Sequence, residues 1–116
     1  MIFDPNPVEA NGGPTGLADN NNADSALLTS LRKPVTLQRL SPNDNCLDGQ
    51  WVRAVLPAGD PDATPSGDVC VPGRDFSSVT RSNDQFEALM AYFHVDRAQA
   101  YVESLGFTNV VNRQIV

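Results

Sequence analysis

The chain has 116 residues, with eight Lys plus Arg against fourteen Asp plus Glu and a formal net charge of −6 at pH 7. That length holds one domain or sub-domain with one modest core, and the negative balance argues against a binder of nucleic-acid backbones, which needs clustered positive charge. No apolar run approaches the length needed to span a bilayer, so neither nucleic acid nor membrane is expected as a partner.

All nine prolines and seven of the eight glycines lie at or before Gly73, while the five aromatics Phe86, Tyr92, Phe93, Tyr101 and Phe107 crowd into the last third. The division predicts short strands and loops over residues 1–82 and a regular element after them. Met1-Ile-Phe reads as a short strand stopped by Asp4-Pro5-Asn6-Pro7. No basic or apolar signal segment follows Met1, so any secretion signal is expected outside these residues. Residues 9–24 read as a loop, and Asp24 or Ser25 caps a short helix over Ala26–Leu31 that Pro34 ends. Val35–Leu40 and Trp51–Leu56, with turn residues between them, are expected to be two strands of a small, mostly antiparallel sheet. Residues 57–74 have no periodicity and are expected to be a long surface loop.

The strongest signal is a long C-terminal helix over residues 83–105. Ser82 and Gln85 have capping-box spacing, Asp84 puts negative charge near the positive end of the dipole, and Gly106 stands where a helix stops. On a helical wheel Leu89, Met90, Phe93, Ala100 and Tyr101 fall within about 60° of Phe86 and predict a core stripe. Ala91, Val95, Ala98, Val102 and Leu105 form a second apolar arc, leaving Gln85, Asp96, Gln99 and Glu103 as the polar face. Two apolar arcs ask for packing on two sides, so the second is expected to be a partner surface, met by more of the same polypeptide or by self-association. Residues 107–116 could add a last strand. The expected class is α+β: a small sheet, long loops and one long helix.

The chemistry-bearing residues are few. His94 is the single histidine, and with no cysteine cluster at finger spacing no zinc site is readable on this chain, nor is any catalytic residue. His94 lies beside Tyr101 and one turn from Arg97. The bland reading gives both residues backbone or carboxylate partners; the sharper one makes His94, Arg97, Val95 and Val102 contacts to a partner or a substrate cleft. Asp19 to Asp24 clusters oxygen ligands that suit a hard cation, but it lacks the glycine and the terminal acid of an EF-hand, so it reads as an Asx-rich turn before it reads as a calcium loop. Gly12-Gly13-Pro14-Thr15-Gly16 lacks the lysine and the strand-to-helix setting of a phosphate loop. Cys46 and Cys70 pair as a disulfide if the protein is exported, and are two unrelated thiols in a reducing compartment.

The stretch from Asp84 to Phe107, above all Met90-Ala-Tyr-Phe-His94 through Gly106-Phe107, resembles a helix of secreted zinc metallopeptidases of the fungalysin and thermolysin-like kind. Phe3-Asp-Pro-Asn-Pro7, the acidic loop before Ala26 and Val35–Leu40 look like the earlier part of the same region. The resemblance implies the N-terminal, sheet-bearing part of the catalytic region, upstream of a zinc-binding His-Glu-x-x-His helix. It implies an extracellular protein in which this segment is non-catalytic scaffold and cleft wall, beside a remainder that carries the zinc and meets the polypeptide substrate. The motif itself is absent from these residues, so no family catalytic residue transfers. The alternative is an independent extracellular binding, inhibitory or propeptide-like module.

Overall fold

The computed structural model describes residues 1–18, 23–59, 66–108 and 113–116. Its elements are α1 (Pro7–Asn11), α2 (Ala26–Leu31), β1 (Val55–Leu56), β2 (Gly67–Asp68), two single-turn 3-10 helices at Pro72–Arg74 and Phe76–Ser78, and α3 (Gln85–Ser104). The chain is an α+β fold with a two-stranded antiparallel sheet.

Helix α1 is not among the expected elements: it starts at Pro7, in the segment read as a strand stop, and runs into the start of the expected loop at 9–24. Asn6 Oδ1 accepts the Glu9 N–H at 2.9 Å, Pro7 opens the first turn, and Gly12 ends it in the left-handed region at φ 73°. Five residues with capping at both ends but no buried side chain leave no periodicity to detect. Helix α2 matches its expected bounds: Ser25 Oγ accepts the Leu28 N–H at 3.1 Å, Leu28 is buried, and Arg32 is already extended two residues before Pro34.

The sheet differs from the expected pairing. Val35–Leu40 forms no ladder among the described residues; its isolated bridges lie at its margins, Ile2 with Lys33 and Leu40 with Gly49. Only Val55–Leu56 of the second expected strand is in the sheet, and its partner Gly67–Asp68 comes from the segment expected to be loop. The reason lies at Leu47, 1% exposed, whose N–H donates to Val69 C=O and whose C=O accepts from Ala54 N–H, each at 2.9 Å. Cys46 faces Cys70 in an antiparallel bridge and is bonded to it, so the disulfide expected for an exported chain is present. Leu47, Val52, Ala54, Leu56 and Val69 are thereby buried together around the cross-link. The 107–116 strand reduces to one parallel bridge, Val52 with Ile115, and residues 109–112 lie outside the described set.

Helix α3 starts at Gln85, later than expected, and the capping box is not formed. Ser82 Oγ bonds Thr80 Oγ1 at 3.0 Å, while Asn83 closes the turn by accepting Phe86 N–H at its C=O and Thr80 N–H at its side chain. The stop is as expected, with Gly106 at φ 89° and its N–H on Glu103 C=O. The wheel needs a larger correction. Phe86 and Leu89 are buried, but Tyr101 of the expected core stripe is 64% exposed, while Asp96 and Gln99 of the expected polar face are 4% and 6% exposed. Tyr92, wholly buried, marks the centre of the face that packs inward. Against its N-terminal half lie Ile2 and Phe3, with the Phe3 and Phe86 rings edge to face at 5.5 Å.

The disulfide closes a sequence separation of 24, for which restricting the unfolded chain contributes about 3 kcal/mol. Protein purified under oxidising conditions should therefore carry no titratable thiol, and urea unfolding with and without reductant should differ by about 3 kcal/mol. Two free thiols in the native preparation would contradict the bond.

Candidate functional site

The turn of α3 from Tyr92 to Asp96 meets the segment around Arg39. Arg39 Nε donates to Asp96 Oδ1 at 2.9 Å, and its Nη2 pairs with Asp96 Oδ2, making a two-point guanidinium–carboxylate contact. The Asp96 side chain is 6% exposed and that of Arg39 30%. The guanidinium also lies 4.7 Å from the centre of the Trp51 ring, a cation over an electron-rich face. Bonded to Asp96, it is held protonated even more firmly than a free arginine. One turn before Asp96, Tyr92 Oη donates to Gln38 C=O at 2.8 Å. Gly49 sits against this hydroxyl so closely that a Cβ there would lie 2.1 Å from Tyr92 Oη and 2.8 Å from Arg39 C=O. Only glycine fits there.

The sequence reading missed Arg39, Asp96, Tyr92, Trp51 and Gly49. The available signal was an aspartate and a glutamine on a helix that is otherwise apolar around most of its circumference, with an arginine at a burial-alternating position of an extended run. Such a pattern identifies a buried ion pair only when the two are known to meet.

The residues that were singled out take two different places. His94 is half-buried with Nε2 3.1 Å from Phe3 C=O, and Arg97 Nη1 donates to Asp4 Oδ2 at 2.8 Å while its guanidinium lies 5.7 Å from the Phe93 ring centre. Both fasten the N-terminal segment to α3, which is the bland reading of the pair. Val95 and Val102 are half-buried, and Val95 packs against the core, whereas Ala91, Ala98, Tyr101, Leu105 and Phe107 are exposed. The second apolar arc is therefore partly covered within the chain at one edge and open along the rest.

A cavity of about 550 Å3 lies on the other side of residues 34–40, between them and the turn at 74–77, with Ile2 and Leu89 among its apolar lining. A smaller one of about 150 Å3 adjoins Arg39, Tyr92 and Asp96. Among the described residues no three His, Cys, Asp or Glu side chains gather in a way that could hold a metal ion, and the single His94 spends Nε2 on a backbone carbonyl. Among the described residues the donor set does not fit a zinc site. Asp24, at the end of the acidic loop, is committed to Arg32 at 3.1 Å; residues 19–22, the rest of the calcium reading, lie outside the described set. No family model, curated protein or solved structure matches the chain.

Burial, reinforced by the Asp96 charge and opposed by Arg39, pushes the Tyr92 phenol up to about 12. The ordinary value of 10 applies once the chain unfolds. Ionisation therefore favours the unfolded state, and stability present below pH 10 should be lost as the pH rises towards 12. Thermal melts across that window should show a Tm falling with pH, and Tyr92→Phe should flatten the dependence while costing about 1 kcal/mol for the lost bond to Gln38. An unchanged slope in the variant would show that Tyr92 is not the group responsible.

Proposed function

We propose that residues 1–116 are the non-catalytic N-terminal scaffold and cleft-wall segment of a secreted zinc-dependent endopeptidase. The observation that carries the reading is α3, whose sequence from Asp84 to Phe107 resembles the helix that precedes the zinc motif in fungalysin and thermolysin-like enzymes, and whose outer arc of Ala91, Ala98, Tyr101 and Leu105 is open. An apolar helix face of this kind is what a second lobe would cover. The Cys46–Cys70 bond supports export, because such cross-links persist in oxidising compartments.

In this reading the remainder of the enzyme supplies the zinc, which activates water for attack on the peptide bond. The residues of this chain do no proton transfer. Their contribution is mechanical: the Arg39–Asp96 contact and the Tyr92 bond to Gln38 set the rotation of α3, and the His94 and Arg97 contacts to Phe3 and Asp4 tie its middle to the N-terminal segment, so that the outer arc is presented at a defined angle.

A second reading, an independent extracellular binding or inhibitory module, draws support from the inner face of α3, whose buried Tyr92 and Asp96 find their partners, Gln38 and Arg39, within these residues. Antibody raised against residues 1–116 separates the two when used to isolate the native protein from culture medium. The peptidase reading expects a mass well above 12.5 kDa, one zinc per chain by atomic absorption, and casein cleavage stopped by a chelator. A native protein of 12.5 kDa without zinc or activity would favour the module. Ala91→Glu with Ala98→Glu should change the stability of the 116-residue chain by less than about 0.5 kcal/mol, yet cost the native protein several times that if a lobe covers the arc. Equal small effects in both would oppose a covering lobe.

A further inference from the structure

Among the described residues two other than glycine take a left-handed backbone, Arg39 at φ 56° and Arg74 at φ 59°, and both line the cavity of about 550 Å3. That conformation is disfavoured for an L-residue because Cβ crowds a carbonyl oxygen, and such outliers gather where a structure holds side chains for a task. Arg39 has its task at Asp96 and Trp51. Arg74 does not: its Nε donates to Asp44 C=O at 2.7 Å, and its two terminal nitrogens have no partner among the described residues. Its neighbour Asp75 turns its carboxylate to the Ser77 N–H at 3.0 Å.

The opposite wall is the segment 34–38. Between its flanking bridges at Lys33 and Leu40, half-buried Val35, Leu37 and Arg39 alternate with exposed Pro34, Thr36 and Gln38, the period of an extended chain. Gln38 C=O is taken by Tyr92, and Thr36 C=O by the Gln38 side chain. Val35 and Leu37 keep both N–H and C=O without a partner among the described residues. In an extended chain the main-chain groups of two residues two apart point to one edge, so this edge has the donor and acceptor spacing of an unpaired strand.

We infer that residues 34–38 and the adjoining cavity form a docking groove for an extended peptide, which adds as a strand to the Val35–Leu37 edge, sets alternate apolar side chains over Ile2, Leu89 and Phe76, and places a carboxylate on the free nitrogens of Arg74. The occupant follows from the chemistry of the walls: paired donors and acceptors along one edge recognise main chain, the apolar lining takes every second side chain, and an arginine fork takes a carboxylate. The inference stands apart from the peptidase reading and does not need it.

The test uses a fluorescein-labelled, end-capped peptide, Asp-Val-Thr-Val-Thr-Val-Asp, titrated with the 116-residue protein by anisotropy. It should bind saturably, N-methylation of its three valines should weaken it by about tenfold, and lysine in place of both aspartates should weaken it by a similar factor. The last arm is discriminating, since a chain of net charge −6 favours the lysine peptide by long-range attraction. Arg74→Gln should abolish the preference for the aspartate peptide and leave the long-range preference for lysine; should that variant not fold, the two altered peptides decide on the unaltered protein. The inference is overturned by no saturation up to about 1 mM, by equal binding of the N-methylated peptide, by preference for lysine, or by light scattering that shows a second copy occupying the groove and excluding the peptide.

Discussion

A charge buried in a small domain has to be met, and in this chain one such requirement organises the rest. Asp96 lies at the middle of the long helix with its side chain 6% exposed, a place where an unpaired carboxylate would be prohibitive. Arg39 meets it from a segment 57 residues away in sequence. To reach, the backbone at Arg39 turns through the left-handed region, and its carbonyl then accepts from Gln50 N–H at 3.0 Å. Trp51 covers the guanidinium, and Tyr92 comes down beside it onto Gln38, so close to Gly49 that no side chain could stand there. Five residues from three parts of the chain are thus specified together, and the rotation of α3 about its axis is one of the consequences.

That coupling explains what was legible in the sequence and what was not. Local chemistry was readable: Ser25 caps α2, Gly106 stops α3, and the two cysteines pair. Non-local choices were not. Val35–Leu40 has a strand's alternation, yet among the described residues no strand pairs with it, while Leu47 and Asn45 pair with the 69–71 segment. On α3 the apolar residues are spread so widely around the axis that periodicity does not select a face. A polar contact decides, and it turns Asp96 and Gln99 inward and Tyr101 outward. His94 and Arg97 were legible as residues with a choice, and the structure gives them backbone and carboxylate partners on the N-terminal segment.

The two surfaces left over differ in kind. The outer arc of α3 presents exposed Ala91, Ala98, Tyr101 and Leu105, with Glu87 at its start, and, being helical, has no main-chain groups to offer, which suits another packed layer. The groove beside residues 34–38 combines apolar lining with open main-chain edge and an arginine whose fork is half used. The disulfide fastens the segment that carries Arg74 to the one that carries Asp44, whose carbonyl holds the Arg74 side chain.

The claim that this ion pair sets the helix rotation is tested most directly by a double-mutant cycle in which Arg39→Met and Asp96→Leu are measured singly and together by urea unfolding. Each single change leaves the other partner's charge or cavity unmatched and should cost about 3–5 kcal/mol for Arg39→Met, where the carboxylate is stranded, and somewhat less for Asp96→Leu. The double variant should recover most of that loss, leaving a coupling of at least about 2 kcal/mol. Costs that simply add, within about 0.5 kcal/mol, would show that the two residues are independent and that apolar packing alone orients the helix.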